Sequence, residues 1–376
     1  MQPLLGSDPS RVGDYRLVGR LGRGAMGSVY FARSRGQRPI ALKLVRPEFA
    51  EDPEFRERFR REVAMARTVG GFWTAAVVDA DPDAEQPWLA TEHVPGPTLQ
   101  RAVTDHGPLP ETSARTLAAG LAEALRAVHR AGLVHRDLKP ANVLLGADGP
   151  RVIDFGIARA ASNRTMTATG IFMGTPGYFS PEQAQGTEVG PASDVFALGA
   201  VLTFTTTGHG PFSTENTAAM LYGVVHDEPD LSRVPPGLRP LVAGCLAKDP
   251  AGRPSSDALL DQLGGPEARA EWLPRGVTEL IEHETDAIRR SGGVPAPHQP
   301  AVPAPDRRAP DPSLPAAPAS ERRDPPRQPD VRAPAAPARR PGSGTPHPGA
   351  RPNQVGMAVF WVLIAVALFA VFAQYL

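Results

Sequence analysis

Residues 134–142 of this chain read Val-His-Arg-Asp-Leu-Lys-Pro-Ala-Asn, and Asp154-Phe155-Gly156 follows after a short hairpin-like segment. Asp137, Lys139, Asn142 and Asp154 thus put two carboxylates, an ammonium and an amide within eighteen residues. They follow neither the helical period of 3.6 nor the strand period of two, so they do not form one solvated stripe. Taken singly, each has a plain explanation: a polar loop, a turn at Asn142, a helix cap at Asp154. Taken together, with Asn five residues after Asp137 and Asp twelve after Asn142, they require a fold that brings them to one place.

The chemistry that uses this set is phosphoryl transfer from a magnesium nucleotide, where catalysis is mostly positioning and charge stabilisation. Asp137 would take or orient the proton of an attacking hydroxyl, and Lys139 would neutralise phosphoryl oxygens. Asn142 and Asp154 are the hard oxygen donors that Mg²⁺ prefers, with Mn²⁺ as a substitute. The run resembles the catalytic and metal-binding loops of eukaryotic-type (Hanks-type) protein kinases. That resemblance implies an α+β fold of two lobes, a small β-rich one and a larger helical one, over about residues 14–264, with the lobes meeting near 94/95. It also implies ATP as the phosphate donor and protein Ser/Thr hydroxyls as acceptors.

Upstream, Leu21-Gly22-Arg23-Gly24-Ala25-Met26-Gly27-Ser28-Val29 reads as strand, glycine turn, strand. Glycines let backbone N–H groups approach phosphate closely. Dinucleotide-binding folds share this spacing, but they start a helix after the last glycine. Here β-branched and aromatic residues follow it, which favours a strand. Lys43 then lies inside the apolar strand 40–44 and needs an anion; by resemblance it grips the α- and β-phosphates. Asp52-Pro53-Glu54 opens a helix in which Phe55, Phe59, Ala66 and Val69 share one face. Glu62 lies on that face and wants a cation, and the family pattern pairs it with Lys43. Residues 88–94 form the strand leaving this lobe. The resemblance makes Thr91 the guard of the pocket's back, and Glu92 and Val94 the backbone contacts to adenine.

In the larger lobe, residues 111–131 carry Leu117, Leu121, Leu125 and Val128 at helical spacing, a core helix leading into the catalytic loop. Residues 159–171 are polar and threonine-rich, and fall between Asp-Phe-Gly and Ser180-Pro181-Glu182, where the family has its activation segment. Arg136, directly before Asp137, implies ordering by phosphorylation, with Thr167 and Thr169 as phosphosites and Thr165 as a third choice. The Asp-Leu-Lys-Pro-Ala-Asn run and Thr175 resemble Ser/Thr rather than Tyr kinases. Asp194 is expected to brace the catalytic-loop backbone, and Arg253 to pair with Glu182.

The formal net charge is zero, which gives no electrostatic case for nucleic acid as a partner. The single cysteine, Cys245, excludes an internal disulfide or a cysteine metal cluster. Within the juxta-domain stretch 265–290, residues 272–290 have Val277, Leu280, Ile281 and Ile288 at helical spacing, an amphipathic helix expected to dock on or beside the kinase region. Of the 43 prolines, 18 fall within the 64 residues 291–354, a Pro/Ala/Arg-rich linker that cannot bury a core. Residues 355–373 carry no charge and no proline, and a helix of that length spans roughly 28 Å. With arginines before it and only Gln374-Tyr375-Leu376 after it, the expected arrangement is a C-terminal transmembrane anchor with the catalytic part cytoplasmic. No signal peptide opens the sequence. The whole resembles actinobacterial membrane-anchored Ser/Thr kinases, and autophosphorylation would bring two copies together transiently. Two other readings are a non-catalytic membrane scaffold with a proline-rich arm and a small-molecule kinase of related fold, which would lack the long 154–182 segment.

Overall fold

In the second strand, Tyr15, Leu17 and Gly19 are buried while the residues between them face outward, the alternation expected of a sheet with one covered face. The computed structural model describes residues 1–24, 26–154, 176–214, 216–264 and 271–290. Ala25, Phe155, Gly156, Thr175, the three candidate phosphosites, the linker 291–354 and the span 355–373 lie outside them. No helix among the described residues is long and apolar enough to cross a membrane.

Six strands build an antiparallel sheet in the order β1-β2-β3-β4-β6-β5: β1 (Arg11–Val12), β2 (Tyr15–Arg23), β3 (Gly27–Arg33), β4 (Pro39–Val45), β5 (Val77–Asp81) and β6 (Trp88–Glu92). On β4, Ile40, Leu42 and Leu44 join Tyr15, Leu17, Tyr30 and Trp88 in a core on one face. Because side chains alternate, Lys43 points to the other face, between Val29 on β3 and Leu89 on β6. The short α1 (Pro47–Ala50) and then α2 (Pro53–Ala66) follow β4. Helix α2 starts as its sequence dictates: Asp52 Oδ1 accepts from Glu54 N at 2.9 Å and Pro53 occupies the first turn. Its apolar face buries Phe55, Phe59, Val63 and Ala66.

The larger lobe is helical. It contains α3 (Leu99–His106), α4 (Glu111–Arg130), the hairpin β7 (Val143–Gly146) and β8 (Gly149–Val152), then α5 (Pro181–Gln185), α6 (Pro191–Thr207), α7 (Thr217–His226), α8 (Arg239–Cys245) and α9 (Ser256–Leu263). Helix α6 is apolar around its circumference and lies at the centre; α4 buries Leu117, Leu121, Leu125 and Val128 beside it. Cys245 is fully buried in the same core, and burial pushes its thiol up to about 12. After residue 270 comes α10 (Arg275–Arg290), whose Val277, Ile281 and Ile288 are buried and whose Leu280 is half-buried. The expected amphipathic helix is therefore present, and it is docked.

Candidate active site

The catalytic loop leaves α4 and is held from below by one carboxylate. Asp194, at the start of α6, accepts from His135 N and Arg136 N at 2.8 Å each, and its Oδ2 lies 2.8 Å from His129 Nε2. Arg136 takes φ +63°, a conformation a non-glycine residue adopts only under constraint, and these two hydrogen bonds supply it. The expected bracing role of Asp194 is thus visible. A second brace is not obvious from motif spacing. Gln183 donates through Nε2 to Arg136 O at 2.9 Å, while Ser180 and Gln183 form a reciprocal capping box on α5. The Ser-x-x-Gln pattern at 180–183 is the signal that could have revealed it.

The polar residues of the loop then converge. Lys139 Nζ lies 2.8 Å from Asp137 Oδ2. Asn142 Nδ2 donates to Asp137 O at 2.8 Å and to Asp137 Oδ2 at 3.2 Å, which turns its carbonyl oxygen away from both. The β7–β8 hairpin carries the chain back, and Ile153 N donates to Asn142 O at 3.0 Å. Asp154 follows with φ +55°. Burial opposes its charge, but the Lys43 ammonium, with His135 and Lys139 nearby, holds its carboxyl below the usual range. Lys43 Nζ is 3.0 Å from Asp154 Oδ1, so the small lobe supplies the cation and the large lobe the acid.

That contact corrects one expectation. Lys43 was expected to pair with Glu62; in the structure it pairs with Asp154, and Glu62 makes no hydrogen bond to it. The cations whose charge reaches Glu62 are Arg136 and Arg58, not Lys43. Glu62 Oε2 is buried without a hydrogen-bond partner. Desolvation pushes the Glu62 carboxyl up to about 7, against the opposing pull of Arg136 and Arg58.

The glycine turn closes the cleft from the sheet side. Gly24 N donates to Gly27 O at 2.8 Å, and Arg46 Nη2 donates to Gly24 O at 3.2 Å. Gly22 and Arg23 end β2, pairing with Val29 and Ser28, and Leu21 is exposed beside them. Met26 packs against the main core. A Cβ at Gly27 would overlap the Leu44 carbonyl, so the absence of a side chain there serves close strand packing as well as a phosphate approach. At the far end of the cleft, Thr91 Oγ1 is 3.4 Å from Ala41 O. Glu92 N is spent on Ala76 O at 2.9 Å, and Val94 is half-buried. His93 turns to the back of the strand against Phe31, ring centroids 4.9 Å apart, where desolvation lowers its pKa to about 4.

Below the cleft, Arg253 grips Glu182 with both nitrogens, at 2.7 and 2.9 Å, as expected; Ser193 Oγ adds a third bond at 2.6 Å. Burial works against the Glu182 charge, but these donors hold its carboxyl below the ordinary range.

Comparison with known proteins agrees with this architecture. The protein kinase domain family matches residues 15–263. The "probable serine/threonine-protein kinase PkwA" of Thermomonospora curvata is 51% identical over 281 residues, covering 75% of this chain and 38% of that protein. The serine/threonine-protein kinase AfsK of Streptomyces coelicolor is 51% identical over 285 residues, with 73% and 36% covered. The chain therefore spans less than two-fifths of the length of these two relatives. The serine/threonine-protein kinase PknL of Mycobacterium tuberculosis is 33% identical over 292 residues, with 74% and 72% covered. The crystal structure of the Mycobacterium tuberculosis PknI kinase domain superposes with a TM-score of 0.56 at 28% identity, covering 69% of this chain and 98% of that one. On the two-lobe fold, the convergent loop and these matches, the chain belongs to the protein kinase family, in its bacterial serine/threonine branch.

Proposed function

We propose that the chain transfers the γ-phosphate of ATP to Ser/Thr hydroxyls of proteins. The observation that carries this reading is the single constellation in which Lys43 of the sheet meets Asp154 at 3.0 Å while Lys139 meets Asp137 at 2.8 Å. A triphosphate carries its charge along its length, and this row of cations and acids matches that distribution. Lys43 holds the α- and β-phosphates under the turn formed by residues 21–29. The backbone at Glu92 and Val94 meets the adenine edge, with Thr91 at the back. Asp137 orients the acceptor hydroxyl and takes its proton, and Lys139 neutralises charge on the transferred group.

The donor set also suits Mg²⁺. Asn142 turns both described amide hydrogen bonds toward Asp137, so its carbonyl oxygen is left to act as a ligand, and Asp154 is held ionised. Asn142 and Asp154 would hold the ion, with Mn²⁺ as a substitute, and the ion neutralises phosphate charge when bound. Only two protein oxygens are needed, because Mg²⁺ keeps waters and phosphate oxygens as its other ligands.

Regulation and location follow the same reading. Thr167 and Thr169 are phosphorylated by a second copy in a transient pair, and Arg136 receives the phosphate. Residues 355–373 anchor the chain in the membrane with the catalytic lobes on the cytoplasmic side, close to protein substrates there. Incubation with labelled ATP and Mg²⁺ tests the central claim. The intact chain incorporates label on Ser/Thr, Lys43→Met does not, and Asp137→Asn still binds ATP but transfers at least a hundredfold more slowly. Undiminished labelling in Asp137→Asn would end the assignment. Truncation at about residue 354 should move the chain to the soluble fraction; retention in membranes would remove the anchor from the account.

A further inference from the structure

Helix α10 lies beyond the end of the family match at residue 263, yet it is bonded to three successive parts of the kinase region. Just before it, the Trp272 indole N–H donates to Gly146 O at 3.1 Å, at the end of β7 in the large lobe. In its middle, Glu284 Oε2 accepts from Gly96 N at 3.0 Å. At its C-terminal end, the Ile288 carbonyl accepts from Arg33 Nη2 at 2.6 Å, in the small lobe. A sixteen-residue helix is a rod of about 24 Å, and with Trp272 just before it the segment 272–290 touches large lobe, lobe connection and small lobe in turn.

The middle contact falls on a constrained backbone. Gly96 sits between two prolines with φ +141°. A Cβ there would overlap the Leu145 carbonyl and come within 3.4 Å of Ile281 Cγ1 on α10. Leu145 N donates to Pro97 O at 2.9 Å, so β7 holds this segment from one side and Glu284 from the other. Val94, two residues before Gly96, is the adenine contact in the reading above.

The end contact is equally deep. Arg33 is fully buried, and its second nitrogen donates to Gln37 O at 2.8 Å. A guanidinium on the last carbonyls of a helix also meets the negative end of the helix dipole. Its carbon lies 5.2 Å from the Phe31 ring, which in turn packs edge-on against His93 beside the adenine-side backbone. Both α10 contacts therefore end on the strand and turn that frame the nucleotide.

We propose that residues 272–290 form a strap that fixes the lobe connection in its nucleotide-binding shape, with Glu284 as the positioning residue. The strap rests on the reading of this cleft as the ATP site. Glu284 touches no substrate; it acts through Gly96 on the backbone that Val94 presents to adenine. A strap of this kind affects nucleotide affinity more than the chemical step, because Asp137 and Lys139 are held separately by Asp194 and Gln183.

The test uses the full chain with Glu284→Ala and Glu284→Gln, reading KM for ATP, kcat on a Ser/Thr peptide, and hydrogen exchange of residues 92–98. Glu284→Ala should raise KM for ATP about five- to tenfold with kcat within about twofold, and speed exchange at Gly96. Glu284→Gln keeps an acceptor oxygen and should stay within about twofold of the parent. Trp272→Phe removes the indole N–H together with the five-membered ring but keeps an aromatic side chain, and should raise KM about twofold, which keeps the idea testable if Glu284→Ala does not fold. Unchanged KM and unchanged exchange in Glu284→Ala would overturn the strap. So would equal losses of kcat and stability in the Ala and Gln variants, which would make Glu284 a purely structural residue. If the parent chain neither binds nor uses ATP, the active-site reading falls, while the exchange measurement still decides whether α10 holds the lobe connection.

Discussion

Two groups of buried or half-buried carboxylates flank the catalytic loop, and they are solved differently. Below it, every carboxylate has its donors: Glu182 takes both nitrogens of Arg253 and the Ser193 hydroxyl, and Asp194 takes two backbone N–H groups and faces His129. Above it, Asp154 is paired with Lys43, while Glu62 lies in the field of Arg136 and Arg58 and its Oε2 has no hydrogen-bond partner. A fully satisfied buried charge has one good geometry. An undersupplied one leaves a carboxylate whose protonation and position remain open to its surroundings. The lower group is therefore the fixed floor of the site, and the upper group is where it can change.

The largest expected effect breaks the floor. Arg253 is fully buried and Glu182 nearly so, so Arg253→Met leaves an uncompensated buried carboxylate and should cost about 3–5 kcal/mol of stability in urea unfolding. Adding Glu182→Gln should recover part of that loss. No recovery would mean that Arg253 matters through packing on Phe196, whose ring lies 5.0 Å from its guanidinium. Next comes Asp194→Asn. It keeps an acceptor for one backbone N–H and sets its amide NH2 against the other, costs about 1–3 kcal/mol, and should slow transfer because Asp137 follows the two residues it anchors. A stable Asp194→Asn chain with the parent's kcat would show that Gln183 alone holds the loop.

This contrast also explains what the sequence could reveal. Asp137, Lys139, Asn142 and Asp154 were readable because the chemistry fixes their spacing along one short stretch. Asp194 and the Arg253–Glu182 pair were readable only through the resemblance to the kinase family, since spacing alone leaves Asp194 a helix cap and gives Arg253 no partner. The partner of Glu62 was not, since helical periodicity shows that Glu62 faces inward but not which cation it meets there. Periodicity likewise gave α10 as an amphipathic helix through Val277, Ile281 and Ile288. Where it docks was hidden: Glu284 and Gly96 are 188 residues apart and no local pattern links them. The strained Pro95-Gly96-Pro97 turn was the one local sign that something packs closely there.

The upper group should respond weakly in stability and strongly in activity. Lys43 and Asp154 side chains are 23% and 37% exposed, so their pair is screened by water. Lys43→Met should change folding stability by no more than about 1 kcal/mol while removing transfer. A loss as large as that of Arg253→Met would erase the distinction between floor and roof.

The smallest effect is the one that identifies Glu62 as the open site. Its carboxyl is raised from 4.5 to about 7 by desolvation, so between those pH values the folded chain binds more proton at Glu62 than the unfolded chain does. Stability from this residue is therefore greatest at the acid end of the window and falls as pH rises through it, levelling above about 7. Glu62→Gln keeps the shape and removes the titration. The stability of the parent relative to Glu62→Gln should decline from about pH 5 to about pH 7 and stay constant beyond. A flat difference would mean that Glu62 is ionised and paired across the whole range, and the contrast between a satisfied floor and an unsatisfied Glu62 would be lost. A declining one places the softest point of the site at α2, where a newly charged carboxylate gains most by moving toward a cation.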